Sequence, residues 1–310
     1  MILPITIRSI FIGIRQCLVV VCCLFNLVSD ANNTLINDVD SVPKRFAVNA
    51  AKLCQEKNFD LAKSEIELAL LQKDEALEAY TWYTRGFIYK EIYKHVESEN
   101  RQSNSREIAV ESFLKARMLN LEKSESNNDA ALRYLASTYF KDALASAAVI
   151  QSTSDNEAEK VFSKYLSILK EIGSNENTLK SSHAFFKAKG QRFLDLWMAD
   201  RCNKDFLTAT IDALSKACQM DAEDCTTPYN VAVIHYNIGV NSSDNFSRCF
   251  DESERASHLQ IATSELKTLN TRCGDTREIV TALLNLNRFT LNDGEAMIYE
   301  LKLKKILEGE

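Results

Sequence analysis

Apolar positions in this chain recur three and four residues apart, the spacing of one helix face, and the resulting stripes come in adjacent pairs. In the first pair Phe46, Ala50, Leu53 and Cys54 form one stripe and Phe59, Ala62, Ile66, Ala69 and Leu70 the next, with Asn58 breaking the helix between them. So short a break forces the two helices back against each other. Ala50, Ala62 and Ala69 let their backbones approach closely, Phe59 plugs the turn, and Asp74 supplies a side chain suited to capping the next helix.

The pattern then repeats with variations. The second pair runs from Leu77 to Leu121; its first helix is unusually aromatic, carrying Tyr80, Trp82, Tyr83, Phe87, Tyr89 and Tyr93, and its second carries Ile108, Ala109, Phe113, Ala116 and Met118. A polar stretch from Glu97 to Ser105 lengthens the turn between them, at little cost because loop-closure entropy grows only logarithmically with length. A third pair is read from Leu132 to Leu144 and from Ala158 to Leu169, ended by Gly173, and a fourth from Thr178 to Trp197 and from Phe206 to Met220. The fifth begins at Pro228, a residue suited to a first helical turn, runs to Gly239, and resumes from Asp251 to Asn270. A last segment, Arg277 to Leu307, ends partly charged, which suits a terminal unit with one face turned to water. The 310 residues contain only eight Gly and three Pro, well under the usual roughly 7% and 5%, and so few breakers favour long helices over a turn-rich β-fold.

The first thirty residues break this pattern. Arg8 and Arg15 precede an almost unbroken apolar run from Cys17 to Val28, and Ser29-Asp30-Ala31 places small residues where signal peptidase reads them. That is the layout of a secretory signal peptide over residues 1–31, and an uncleaved N-terminal membrane anchor is the alternative, because counting from Ile10 lengthens the run. Val19-Val20-Val21, ahead of Cys22, lacks the small residue expected before a lipidated cysteine. Residues 32–44 are polar and aperiodic with one proline, hence a linker, so the helical domain spans 45–310. The expected location is exported, either periplasmic or secreted, with envelope association if the anchor is retained.

Of nine cysteines, six lie beyond that leader: Cys54, Cys202, Cys218, Cys225, Cys249 and Cys273. An even number in an oxidising compartment permits disulfides. Cys218 and Cys225 flank an inter-helix turn and are the expected local pair. Cys249 and Cys273 stand at opposite ends of a helix about 30 Å long, too far for the roughly 7 Å between Cα atoms that a disulfide allows. The net charge is −6, with Lys and Arg spread over nearly every segment. Without a basic stripe interleaved with aromatics, nucleic acid is not the expected partner.

Trp82-Tyr83-Thr84-Arg85-Gly86-Phe87-Ile88-Tyr89, followed by Ala109-x3-Phe113-x2-Ala116 and preceded by Asn58-Phe59-Asp60-Leu61-Ala62, resembles the tetratricopeptide repeat, in particular that of exported repeat proteins common in Bacteroidetes. Tyr229-Asn230-Val231-Ala232-Val233-Ile234-His235-Tyr236-Asn237-Ile238-Gly239 looks like the start of a later repeat, and the similarity covers residues 45–307. Arg85 stands where the family prefers Leu, Ala232 replaces its small glycine, and the turns exceed its period of roughly 34 residues. The resemblance implies an all-α fold of antiparallel helix pairs stacked into a right-handed superhelical solenoid, about five pairs with C-terminal capping helices. It also implies a binding scaffold that carries no chemistry itself, with a protein or peptide held in a concave groove lined by the first helix of each pair.

On that geometry Tyr80, Tyr83 and Phe87, at i, i+3 and i+7, are the expected partner-binding residues, with Tyr229 and Tyr236 as their counterparts in the fifth pair. Trp82 and Tyr89 are expected to face the paired helix. Exposed rings offer large contact area at low entropy cost. The chain has no Gly-rich phosphate loop, no H-E-x-x-H, no G-x-S-x-G and no Cys/His cluster, so no catalytic residue, metal or cofactor is expected. His95, His183, His235 and His258 read as surface or packing residues. Acidic pairs such as Glu65 with Glu67, or Asp221 with Glu223 and Asp224, are accounted for by helix dipoles. The expected function is a non-enzymatic scaffold or adaptor; the alternative is a helical carbohydrate-binding protein at the outer membrane.

Overall fold

The computed structural model describes residues 45–119, 125–174, 178–240 and 248–309. The signal peptide and linker expected from the sequence lie outside the described residues. Among those residues there are twelve α-helices, one 3-10 turn and no strand. The helices are α1 (Arg45–Gln55), α2 (Phe59–Leu71), α3 (Ala79–His95), α4 (Asn104–Leu119), α5 (Glu125–Ala148), α6 (Glu157–Glu171), α7 (Thr178–Ala199), α8 (Lys204–Met220), α9 (Thr226–Val240), α10 (Glu252–Cys273), α11 (Arg277–Phe289) and α12 (Asp293–Gly309). Neighbours pack as pairs: α1 with α2, α3 with α4, α7 with α8, α9 with α10, and α11 with α12. The chain divides into two compact units, one within Ile10–Asp142 and Glu159–Glu176, the other within Ala143–Ala158 and Asn177–Glu310.

In the first unit the small residues do what their positions suggest. Ala50, Ala62 and Ala69 are fully buried between α1 and α2. A Cβ added at Gly86 of α3 would stand 2.9 Å from the Phe113 ring of α4, so glycine sets how closely this pair approaches. In α5, Phe140 meets Phe162 and Tyr165 of α6, with ring centres 6.1 and 5.1 Å apart.

Two expected helix boundaries differ in detail. The break after α1 is made by Lys57, which adopts a left-handed φ of 61°, while Asn58 caps nothing with its side chain. The Asn58 N–H reaches back to the Leu53 carbonyl at 2.9 Å, and the Lys57 N–H to that of Cys54 at 3.0 Å, which closes the helix end. Asp74 likewise makes no side-chain cap; it precedes the 3-10 turn Glu75–Leu77 in helical backbone. The buried Glu75 carboxylate accepts instead from the Ala47 N–H in the first turn of α1, at 3.2 Å.

In the second unit, α9 is apolar almost all round and is buried accordingly. Val231, Ile234 and Ile238 join Trp197, Leu207, Leu214 and Phe250 in one cluster, while Ala232 and Tyr236 join Ala262, Leu266, Leu283 and Leu286 in another. Side-chain caps start the helices around it: Asn203 accepts from the Phe206 N–H for α8, Thr276 from the Ile279 N–H for α11, and Asp251 with Glu254 forms a capping box on α10. The last segment of the sequence pattern, 277–307, is two helices, divided at Leu291 with φ 57°.

Candidate partner-binding surface

Helix α3 carries the aromatic stripe, and its surroundings explain which rings stay available. Arg85, the departure from the expected Leu, is held on both sides: its Nε donates to Glu67 of α2 at 2.9 Å and its guanidinium also donates to the Ser112 hydroxyl of α4 at 2.9 Å. The Tyr89 hydroxyl donates to the same Glu67 carboxylate at 3.0 Å, and Arg85 lies over the rings of Tyr89 and Trp82 at 5.1 and 5.8 Å. The Trp82 indole donates to the Ala76 carbonyl at 2.8 Å. Trp82 and Tyr89 thus turn toward the preceding segment and α2, not toward the paired helix α4. The acceptors are what decide this: Glu67 for Tyr89 and the Ala76 carbonyl for Trp82, both brought alongside only by the fold. Burial, then Glu67, pushes the Tyr89 phenol up to about 12.

Tyr80, Tyr83 and Phe87 remain partly exposed. Tyr83 sets its ring edge-on to Phe113 of α4, centres 5.7 Å apart, so it is shared between the pair's packing and the surface. Its phenol is raised by burial and then by neighbouring Tyr80. Lys90 lies over the Phe87 ring at 4.8 Å, its ammonium paired with Glu91 at 2.9 Å.

The counterparts on α9 divide. Tyr229 is partly buried, with burial and then Glu278 pushing its phenol up to about 12. Tyr236 is fully buried, packed among Ala262, Leu266 and Leu283, and is a core residue rather than a groove residue. Fully covered in this way, Tyr236 has no surface left on which to meet a partner.

The cysteines pair differently from the sequence expectation. Cys225 bonds to Cys273 and Cys202 to Cys249, with Cα atoms 6.1 and 4.7 Å apart; Cys54 and Cys218 are free thiols. The expected Cys218–Cys225 bridge is replaced because α9 and α10 run antiparallel, which brings the residue before α9 to the last residue of α10. Cys218, inside the last turn of α8, lines a cleft of about 240 Å³ with Val231, Glu265, Leu269 and Arg272. Burial, with Asp224 adding to it, pushes the Cys218 thiol up to about 11, so at neutral pH it stays a thiol and offers no nucleophile.

No protein-family model matches the chain, and no curated protein matches its sequence. The site therefore rests on its own geometry.

Three polar constellations escaped the sequence pattern. Arg106 is buried between the rings of Tyr93 and Tyr139, at 5.1 and 3.9 Å, and pairs with Asp142 at 2.6 Å. His235 and His258 meet nitrogen to nitrogen at 2.7 Å. A third, around Asp224, holds the start of a helix: its carboxylate accepts from the Thr226 and Thr227 N–H groups at the start of α9, at 2.8 and 3.1 Å, and stands 3.2 Å from His183 of α7. Among the described residues no group of three or more His, Cys, Asp or Glu is placed to hold a metal ion, and no helix is long and apolar enough to cross a membrane.

Proposed function

We propose that this protein is a non-enzymatic scaffold of the tetratricopeptide-like kind, its helix pairs continuing as a right-handed array, that takes a protein or peptide partner against the ring face of α3. The observation that carries this reading is a division of labour on one helix. Gly86 and the Arg85–Glu67–Ser112 bonds lock α3 to α2 and α4, while Tyr80, Tyr83 and Phe87 keep surface that the core does not use. Rings held on a rigid element bind with little ordering cost. The two disulfides support an exported location, since such bonds persist in oxidising compartments.

The test is cross-linked affinity capture from the native envelope or secreted fraction, comparing wild type with a Tyr80→Ala, Tyr83→Ala, Phe87→Ala variant whose helicity is checked by circular dichroism. A defined protein captured by wild type and lost from the folded variant is the expected result. Equal capture by both moves the site off α3, and capture of glycan alone replaces this reading with a carbohydrate-binding one.

A further inference from the structure

His235 of α9 and His258 of α10 face each other across the helix pair. Their Nδ1 atoms are 2.7 Å apart and their ring centres 4.8 Å, so the imidazoles meet head to head. A contact of that length holds a single proton: one Nδ1–H donates, and the accepting ring must be neutral with its own proton on Nε2. A second proton would put two N–H bonds into the same gap and a positive charge on each of two facing rings. The contact does not survive that.

The surroundings fit the neutral pair. His235 is only 5% exposed, and His258, partly exposed, sets its ring perpendicular to Phe250 with centres 5.6 Å apart. The charges acting on the pair are Glu254, one turn earlier on α10, and Lys204 at the start of α8; they act on His258 in opposite directions and are bound to each other. Glu254 is further engaged in the α10 capping box. From α11, the side chains packed into the same α9–α10 core are apolar: Ile279, Leu283 and Leu286.

We propose that this pair is an acid-released latch between α9 and α10, closed while the two rings share one proton and opened when both are protonated. The Cys202–Cys249 bridge joins the residues just before α8 to the turn before α10, so the opening stays tethered and local. Burial, then neighbouring His258, pushes His235 down to about 4, and burial pushes His258 down as well. Both folded values lie below the ordinary histidine value of about 6.5, so the opened state binds more protons than the closed one. The latch is therefore at full strength above about 6.5 and weakens as pH falls from there toward about 4.

The latch would work whatever the scaffold binds. Its test is amide hydrogen exchange on the oxidised full chain at pH 7 and pH 5, with the intrinsic pH dependence of exchange divided out. Uptake of one proton by a histidine of ordinary value in the open state predicts a roughly twentyfold rise in the opening constant for amides of α9 and the first half of α10. Amides of the first unit should show no such rise. In His258→Asn no second ring is left to charge, so the part of the rise that comes from the facing imidazole should be lost and only the part from burial of His235 should remain. No rise in wild type, or the same rise in the variant, overturns the proposal. Should the variant not fold, nitrogen-15 titration of the wild-type rings decides: both values at or above 6.5 overturn the latch, and a His235 value well below it sustains the latch.

Discussion

Arg106 shows on what terms a full charge is accommodated in this fold. Its side chain is 1% exposed, yet its guanidinium reaches Asp142 at 2.6 Å, the Tyr93 hydroxyl at 3.2 Å and the Arg101 carbonyl at 2.7 Å. Burial acts against the charge, and the bond to Asp142, with Tyr93 and Tyr139 beside it, outweighs that and raises the guanidinium further. Removing one partner of such a pair leaves a desolvated charge behind, so Arg106→Met should cost about 3 kcal/mol in urea unfolding. Arg106→Lys should recover only part of this, since an ammonium lacks the planar fork that serves three acceptors and stacks on rings. In the sequence this arginine simply comes after a polar insert that reads as a lengthened turn. That turn is tied down by Glu97, whose carboxylate accepts from Ser103 and Ser105, and by the Arg101 carbonyl. Helical periodicity points to none of these partners, because the period says which face is apolar and not which polar groups will meet there.

At the scale of elements, three helices end in the same way on different residues. After α6, Gly173 takes φ 60°; after α1, Lys57 takes φ 61°; after α11, Leu291 takes φ 57°. At Leu291 the closing bonds are the Asn292 N–H to the Asn287 carbonyl at 2.9 Å and the Leu291 N–H to that of Arg288 at 3.4 Å. A side chain in left-handed backbone is strained where glycine is not, and Leu291 is 84% exposed, so it contributes little packing in return. Leu291→Gly should therefore stabilise the protein by roughly 0.5–1 kcal/mol in thermal unfolding, the relieved strain being partly offset by unfolded-state entropy. Leu291→Ala, which keeps the strain, should not. The end at Gly173 was legible in the sequence because glycine advertises the conformation. The end after α1 was read one residue late, at Asn58, and that at Leu291 was not legible, since leucine is compatible with continuing the helix.

For the molecule as a whole, covalent cross-links are the strongest long-range constraint, and they fall within one unit. The loops 202–249 and 225–273 overlap, with sequence separations of 47 and 48, and each such closure stabilises by about 4 kcal/mol through the unfolded chain. Reduction should therefore lower the stability of the unit holding α7 to α12 by several kcal/mol in urea. The unit holding α1 to α4 has no disulfide among its described residues and should unfold as before. Limited proteolysis with and without reductant checks this directly, with new cuts expected only within Ala143–Ala158 and after residue 177. Such a dependence would also bear on the exported location, since a cytosolic reductant would then be incompatible with the native fold of this unit.

Local pattern alone was enough to make the described chain helical and to pack successive helices as pairs. Both properties are short-range: an apolar period of three to four residues makes a helix face, and a break of a few residues leaves the next helix no neighbour but the last. The same pattern marked α3 as the aromatic helix. Only tertiary packing brings Cys225 to Cys273 rather than to Cys218, makes Tyr236 core while Tyr80 and Phe87 keep surface, and sets His235 against His258. Those outcomes join residues 23 to 48 positions apart, or depend on what covers a helix's second face. Over such separations the pattern of a single chain carries no distance information, and the register of helix on helix supplies it.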